Sequence, residues 1–196
     1  MKSAILFLML SAFLSSPLLA ADHAVAKGAS ILTGGISFTA QKMKYEDEDN
    51  NETTTLSVFS FTPTLDYFVA NRVFVGLGTE VSDIVMSGRS FTTLGAGPEI
   101  GYAFGNAEAT AYPYIKALAL FTHGSAERYT VNDRDLGIAL GVVIPVHKHV
   151  GFMMEMSVHN VNENETTDYE FGYESLKQSS SGTLFKMGVG LAGLFF

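Results

Sequence analysis

Apolar and polar side chains alternate one by one along eight segments of this chain, and turn-forming or charged residues separate the segments. The fourth segment shows the alternation clearly, since Leu94, Ile100 and Tyr102 share one face while Glu99 shares the other with glycines. A period of two places successive side chains on opposite faces of a β-strand. The pattern therefore predicts strands at residues 29–44, 54–67, 72–83, 91–104, 111–124, 135–146, 150–161 and 182–196.

The face opposite each apolar stripe carries small or polar residues throughout. In the sixth segment, for example, Ile138 and Val142 are opposed by Gly137 and Gly141. A soluble barrel would have the reverse arrangement, with apolar side chains inside and polar ones outside. Outward apolar stripes suit lipid, where only a closed barrel satisfies every backbone group of a strand. We therefore predict an all-β fold, an eight-stranded antiparallel up-and-down transmembrane β-barrel.

Prolines inside the predicted strands are an argument against this fold. They stand at Pro63, Pro98, Pro113 and Pro145. Proline cannot donate a hydrogen bond to a strand ladder and is usually confined to edges, strand starts or bulges. The consistent apolar stripes outweigh this mild objection.

The first residues are predicted to be a secretory signal peptide. Lys2 precedes the apolar run 4–14, and small residues follow at 15–21, which is the order of a signal peptide and not of a spanning helix. We therefore divide the chain into a signal peptide at 1–21 and a barrel domain at 22–196. After the signal peptide, no apolar run approaches the ~20 residues that a membrane helix needs.

The composition excludes several classes of function. The formal net charge is -8 at pH 7, and because no basic stripe is present to neutralise phosphates, we expect no nucleic-acid partner. The chain contains no cysteine, so it can form neither disulfides nor thiolate metal sites. The acidic segment 46–52 lacks the glycine and the ligand spacing of an EF-hand loop. We expect no cofactor and no metal.

The connections between the predicted strands alternate in length. Those at 68–71, 105–110 and 147–149 are short, whereas those at 45–53, 84–90, 125–134 and 162–181 are mostly longer. Short periplasmic turns and longer external loops are typical of transmembrane barrels. We therefore expect both termini in the periplasm, with an aromatic girdle at that interface formed by Tyr67, Tyr102, Phe104, Phe152 and Phe195.

Several segments resemble a known family: 64–78 (TLDYFVANRVFVGLG), 97–102 (GPEIGY), 112–116 (YPYIK) and the terminal strand 182–196. They resemble the hairpin ends of the small bacterial outer-membrane β-barrels that include OmpX, Ail and the OmpA transmembrane domain. The resemblance spans essentially the whole mature chain. It implies outer-membrane lipids and lipopolysaccharide as surroundings, and assembly by periplasmic chaperones and the barrel-insertion machinery. It implies no single biochemical role, because such barrels include adhesins, enzymes, pores and scaffolds.

The closing strand ends on two aromatic residues, Phe195 and Phe196. In the family that the chain resembles, the insertion machinery reads a terminal aromatic, so we expect these residues to be the assembly signal. The apolar set from Phe185 to Leu191 is in phase with Phe195 and not with Phe196. Either a bulge at Gly193 shifts the phase, or Phe196 lies at the membrane interface.

The predicted inward faces carry charges of both signs: Glu80, Glu99, Glu155, Lys116 and Lys186, with Arg72 and Asp66 lower in the barrel. Side chains fill the lumen of an eight-stranded barrel. Buried charges must pair there, because desolvation of an unpaired charge costs several kcal/mol. We interpret the first five residues as an interior charge network that plugs the barrel. A gated narrow pore and catalytic carboxylates are the alternatives.

Ser157 and His159 also face inward in the seventh predicted strand, beside Glu155. Outer-membrane lipid A deacylases use histidine, serine and glutamate on a small barrel, so the pair invites comparison with that class. Such an enzyme would need its triad at the lipid-facing rim. We therefore expect polar plug residues here and predict no catalytic residue.

Acidic loops mark the predicted external end. The segments 46–52 (EDEDNNE) and 163–174 (ENETTDYEFGYE) should lie side by side, because the first and last strands of a closed barrel are neighbours. We predict a monomer without catalysis that has a structural or adhesion-like role and presents these loops to a host or surface ligand. The alternatives are a lipid A-modifying outer-membrane enzyme and a small-conductance pore.

Overall fold

The chain forms a single closed antiparallel β-barrel. The computed structural model describes residues 23–47, 50–86, 89–126, 129–167 and 176–196, so the predicted signal peptide and its boundary lie outside the described residues. Within those ranges the strands are β1 (Ser30–Asp47), β2 (Asn50–Ala70), β3 (Val73–Met86), β4 (Arg89–Ala103), β5 (Tyr112–Ala126), β6 (Tyr129–His147), β7 (Val150–Thr167) and β8 (Leu176–Phe195). Among these residues no helix is long and apolar enough to cross a membrane.

Each strand pairs with the next in sequence, and β8 returns to pair with β1. This confirms the predicted eight-stranded up-and-down topology. The strands run further than predicted at one end: the β7–β8 ladder, for example, continues to the pair Thr167 and Leu176. The prediction stopped where apolar alternation stopped, but backbone pairing continues through polar residues. The end that carries Ser30 and Phe195 is called the terminus end, and the opposite one the loop end.

Side-chain exposure alternates along the strands as predicted. Leu94, Ile138 and Met187 are 61%, 60% and 61% exposed on the outer face, whereas Glu99 and Lys116 on the inner face are buried. The outward apolar side chains form a ring around the barrel, here called the apolar belt. On β7 and β8 its rim toward the loop end is formed by the paired residues Val158 and Phe185.

The interior of the terminus end is apolar. A buried cluster fills it, made of Ile31, Phe68, Phe74, Ala103, Tyr112, Val143, Met153, Ala192 and Leu194, together with Ala24, Val25 and Ala29 from before β1. The segment 23–29 closes this end through backbone hydrogen bonds, with Gly28 donating to Phe68 at 2.9 Å and Arg72 donating to Val25 at 2.8 Å. The expectation of small or polar inward residues throughout is therefore wrong here, because this segment shields the interior from water.

Arg72 does not point into the barrel as predicted. It lies in the turn between β2 and β3, is exposed, and has a φ of 71°. Its neighbour Asn71 accepts a hydrogen bond from the backbone N–H of Lys27 at 3.0 Å. The turn thus anchors the closing segment 23–29, and Arg72 contributes its backbone to that anchor.

Breaks in the ladders accompany three of the four prolines. The β2–β3 pairing passes from Phe61 directly to Thr64, across Pro63, and the β4–β5 pairing passes from Ala96 to Glu99, across Pro98. The β6–β7 register shifts between Pro145 and His147. Pro113 stands near the start of β5. Pro145 thus stands at a register shift and Pro113 at a strand start, whereas at Pro63 and Pro98 the ladder lacks pairs without a change of register. A sheet accommodates proline at places where it need not donate to the ladder.

The junction of β1 and β8 is closed over only part of its length. The described pairs run from Ser30 with Phe195 to Ser37 with Gly188. Beyond them, β1 continues at residues 38–47 and pairs there with β2, while β8 at residues 176–187 pairs with β7. These two described stretches do not pair with each other. This part of the junction is called the open seam. It begins inside the apolar belt, because Met187 is 61% exposed on the outer face.

The closing strand keeps its phase to the end. Among the described residues β8 pairs with β1 and β7 without a register shift through Gly193, so the bulge explanation is wrong. Phe195 is exposed with the apolar belt. Phe196 follows the strand and is half-buried. Its ring lies 5.8 Å from that of His149, and it packs against the apolar cluster of the terminus end.

Candidate functional site in the barrel interior

A buried ion-pair group lies above the apolar cluster. Lys116 on β5 projects between β4 and β7, and its Nζ lies 3.0 Å from Glu99 Oε2 and 2.9 Å from Glu155 Oε2. The hydroxyl of Tyr114 donates to the same Glu155 oxygen at 2.6 Å. All four side chains share the inward parity of their strands. One ammonium thus pairs with two carboxylates and joins three strands.

Asp66 adds a further carboxyl group to this region. It is buried, and its Oδ1 and the Oε1 of Glu99 have no hydrogen-bond partner among the described residues. A Cβ at Gly76 would collide with Asp66 Oδ1, so the glycine provides the room for this carboxyl group. Among the described residues no group of three or more histidine or acidic side chains is arranged to hold a metal ion.

A second ion pair lies nearer the loop end. Lys186 Nζ contacts both carboxylate oxygens of Glu80, at 2.9 and 3.2 Å. Ser82 donates to Glu80 at 2.7 Å, and its hydroxyl lies 2.7 Å from that of Ser60. Lys186 Nζ also lies 3.9 Å from Asp135 Oδ2.

The five residues predicted as one network therefore lie in two groups: Glu99, Lys116 and Glu155 in one, Glu80 and Lys186 in the other. Removing one member of a buried pair leaves an uncompensated charge, which costs about 3–5 kcal/mol. Both groups therefore bind strands that are distant in sequence into one rigid interior. Each of the five residues therefore has an ion-pair partner in the interior. That they plug the barrel stays a prediction.

A hydrogen-bonded chain of Ser157, His159 and Asp135 completes the interior. His159 Nε2 lies 2.6 Å from Ser157 Oγ, and His159 Nδ1 lies 2.8 Å from Asp135 Oδ1. All three residues are buried. Sequence reasoning singled out Ser157 and His159 but missed Asp135. The parity of β6 turns Asp135 inward, and only the β6–β7 register, which pairs Gly137 with His159, brings it to the imidazole.

An internal cavity of about 80 Å³ connects these groups. Its lining includes Ser157, His159, Glu80, Lys186 and Lys116. On the lipid-facing side of the barrel wall lies an apolar groove of about 600 Å³, lined by residues of β1, β2, β6, β7 and β8. The cavity and the groove share Ser37, Glu155 and Gly188 in their linings.

The other predicted features are partly visible. Tyr67, Phe104, Phe152 and Phe195 are exposed at the terminus end, while Tyr102 is half-buried with its ring 5.0 Å from that of Phe104. His149 Nδ1 lies 2.9 Å from the carbonyl oxygen of Leu194, so this histidine links the turn to the closing strand. The residues 48–49 and 168–175 of the two acidic loops lie outside the described residues.

No family model matches the chain, and no curated protein matches it in sequence. Solved structures do match. The chain is similar to the outer membrane protein OprG from Pseudomonas aeruginosa, with a TM-score of 0.65 and 14% identity over 89% of this chain and 99% of that one. It is similar to the outer membrane protein AlkL, with a TM-score of 0.65 and 12% identity over 92% and 95% of the two chains.

A third similar structure is NspA, the Neisserial surface protein A, with a TM-score of 0.51 and 13% identity over 87% of this chain and 98% of that one. The closed barrel and its apolar belt define a transmembrane β-barrel. More narrowly, the chain has the fold of the small eight-stranded barrels of bacterial outer membranes, as the sequence resemblance implied.

Proposed function

We propose that the protein is a monomeric outer-membrane barrel with both termini in the periplasm, and that it acts as a surface-interaction protein. The observation that carries this proposal is the extension of β6, β7 and β8 beyond the apolar belt. On β7 the strand continues from Val158 at the rim to Thr167, roughly 30 Å of extended chain at about 3.3 Å per residue. Because barrel strands are tilted by about 35–45°, this length corresponds to a height of about 20–25 Å above the rim, which extends beyond the lipid surface.

The protruding sheet is polar and acidic. Asn160, Asn162 and Arg134 are exposed on it, and the hairpin between β7 and β8 contains Glu163, Glu165 and three further acidic residues at 168, 170 and 174. A surface of this charge favours cationic partners and divalent cations bridging to other acidic groups. The proposed contacts are therefore with a basic host or surface ligand, and with lipopolysaccharide around the barrel.

This interaction role requires no cofactor and no reaction at the sheet. A pore is the weaker alternative, because the terminus end is filled by Phe68, Phe74 and Leu194 and the middle by ion pairs. Planar-bilayer recordings of the folded protein check this directly. We expect no discrete conductance steps, and a steady open channel would favour the pore.

The proposal is tested with two forms of the barrel in lipid nanodiscs. In one, residues 163–180, which begin and end with a β7–β8 pair, are replaced by a short turn; in the other, Glu163 and Glu165 are changed to glutamine. Binding to immobilised poly-L-lysine and to a panel of extracellular-matrix proteins is measured by surface plasmon resonance. We expect loss in the first form and weakening in the second. Equal binding by all forms would contradict the proposal.

Surface orientation has a separate test. An epitope inserted at 168–175 should be labelled by antibody on intact cells, whereas one placed in the turn at 148–149 should be labelled only after the outer membrane is opened. The reverse result would show that the loop end faces the periplasm, and the interaction role would then fail.

A further inference from the structure

The chain of Ser157, His159 and Asp135 has the connectivity of a nucleophile, a general base and an orienting carboxylate. With its proton on Nδ1, His159 donates to Asp135 at 2.8 Å and accepts from the Ser157 hydroxyl through Nε2 at 2.6 Å. In serine hydrolases the carboxylate bonds Nδ1 and the serine bonds Nε2, so that the imidazole can take the serine proton. The same roles are filled here by residues from two adjacent strands.

The surrounding sequence leaves space for this imidazole. Gly137 pairs with His159 across the β6–β7 ladder. A Cβ at Gly137 would come within 2.8 Å of His159 Nδ1. The glycine therefore allows the ring to lie against β6, where it meets Asp135 two residues earlier on the same strand.

The site also faces a space that a substrate group can occupy. Ser157 and His159 line the internal cavity, as does Lys186, which lies opposite Ser157 in the β7–β8 register. The Glu80 carboxylate holds the Lys186 ammonium at 2.9 Å. A fixed ammonium on the cavity wall is placed to stabilise negative charge that develops on a carbonyl oxygen.

Access to the cavity runs through the barrel wall at the open seam. Ser37 and Gly188, the last described pair of the closed part, line both the cavity and the outer groove. The groove is apolar, with Phe59, Met154 and Met187 in its lining. Strand backbone without a sheet partner inside lipid is stable only where it lines a cavity or is covered. An acyl chain in the groove would thus bring its head region to the seam beside Ser157.

We propose that Ser157 and His159 are the catalytic residues of an esterase that cleaves acyl esters of membrane amphiphiles, which reach the site from the lipid through the open seam. Asp135 is the positioning residue of His159. This activity goes beyond the interaction role proposed above, and it departs from the expectation of a barrel without catalysis. The sheet above the membrane and the site inside the barrel use different residues, so either function can fail without the other.

The reaction balances with water as the second reactant. Ser157 Oγ attacks the ester carbonyl carbon while its proton passes to His159 Nε2, and the bond from that carbon to the alcohol oxygen breaks. His159 gives the proton to the leaving alcohol. Water then attacks the acyl-serine by the same route, with His159 first taking a proton from water and then returning it to Ser157 Oγ. The products are a carboxylic acid and an alcohol.

The first experiment uses the full chain folded in lipid vesicles and a fluorophosphonate probe. We expect a covalent adduct on Ser157, located by mass spectrometry of the wild-type protein, and none in Ser157→Ala. His159→Ala should slow labelling at least about 100-fold. The matched control is Thr93→Ala, which removes another buried interior hydroxyl that does not line the cavity and should label like wild type.

Asp135 is tested by variants that keep its size. Asp135→Asn should slow labelling about 1000-fold or more, because it favours the wrong imidazole tautomer, while Asp135→Glu should recover part of the rate. A purely structural role predicts a different outcome: loss of the heat-modifiable gel shift of the folded barrel without a selective change in labelling. Folding of every variant is therefore checked by that gel shift.

The second experiment closes the seam. Continuing the β1–β8 register beyond Ser37 and Gly188 places Ala40 opposite Phe185, and since the chain has no cysteine, Ala40→Cys with Phe185→Cys gives a single reducible cross-link. Once oxidised, this pair should lower hydrolysis of a long-chain diacyl phospholipid in vesicles at least about tenfold. Reduction should restore this activity, and the oxidised and reduced forms should show the same heat-modifiable gel shift. The control is Leu32→Cys with Gly193→Cys, a pair within the closed part that lines neither the cavity nor the groove.

Three outcomes overturn the proposal. Folded wild type that neither takes up the probe nor hydrolyses the phospholipid above the Ser157→Ala background has no esterase site. An adduct located on another residue assigns the chemistry elsewhere. Phospholipid hydrolysis that is unchanged when the seam is cross-linked removes lipid access through the wall.

Discussion

The two ends of the barrel interior are filled in opposite ways. At the terminus end, Phe68, Phe74 and Leu194 are buried against one another. Toward the loop end, Lys116 and Lys186 are held between carboxylates. Apolar packing has no required direction, whereas a buried ion pair depends on each partner being present. The terminus end therefore acts as a general closure, and the ionic half depends on individual residues.

Strand pairing follows the same division. The β1–β8 junction is paired from Ser30 to Ser37, beside the apolar cluster, and the open seam lies beside the ionic half. The interior cavity also belongs to this half. A firmly closed base thus supports an upper part that has space, charge and an opening.

The largest loss of stability is expected when Lys116, in the ionic half, is replaced. Lys116→Met leaves Glu99 and Glu155 without their shared cation, so we expect the free energy of unfolding to fall by roughly 3–5 kcal/mol. Urea titration of the barrel in vesicles measures it. The control is Lys148→Met, in an exposed turn, which should change little.

A charge reversal sharpens the same point. Glu99→Lys combined with Lys116→Glu should recover part of the loss that each change causes alone, because the two groups lie 3.0 Å apart. Fully additive effects would show that the two side chains do not interact in the folded barrel.

A cavity made in the apolar terminus end should lower the stability of the barrel. Phe68→Ala removes a ring that is 1% exposed, and we expect a loss of about 3 kcal/mol in the same urea titration. Phe152→Ala is the matched control, because that ring is 54% exposed on the outer face. Labelling of Ser157 by the fluorophosphonate should be unchanged in folded Phe68→Ala. A selective loss of labelling would mean that the closure and the ionic half are not independent.

The belt itself gives a smaller effect. Ile138→Arg places a charge in lipid and should cost about 2 kcal/mol, since the penalty declines from the bilayer midplane toward the interface. Asn162→Arg, exposed above the belt, should be neutral. Equal tolerance of both changes in vesicle unfolding would contradict the assignment of the outer face to lipid.

The fold was predictable from sequence because lipid outside and a narrow lumen inside impose a strict alternation. The lengths of the strands were not, since pairs such as Thr167 with Leu176 continue the ladder beyond the end of the apolar alternation. The apolar terminus end was also missed: Phe68 was assigned to a turn, and burial of Phe68 and Phe74 depends on segment 23–29, which carries no strand pattern. The alternation of apolar and polar residues within strands cannot reveal a segment outside the strands that closes the end of the barrel.

The interior site was predictable in its members but not in its groupings. The alternation of side chains along each strand was enough to predict that Glu80, Glu99 and Lys116 face inward. Which carboxylate meets which ammonium depends on the register of each strand pair, and on β6–β7 that register is offset by the shift between Pro145 and His147. Asp135 illustrates the same limit, because its partner His159 lies 24 residues away in sequence on another strand.

The smallest effect is expected at the last residue. Phe196 lies outside β8, half-buried against the apolar cluster and 6.0 Å from Lys148 Nζ, so its deletion should cost about 1 kcal/mol in refolding. Phe195 is in phase with the apolar belt and is our choice for the assembly signal. Deleting Phe196 alone should therefore reduce the outer-membrane level mildly, and deleting both phenylalanines should reduce it severely, as measured by immunoblot of membrane fractions. Refolding of both purified variants in detergent serves as the control. A normal outer-membrane level after the double deletion would exclude a terminal aromatic signal in this chain.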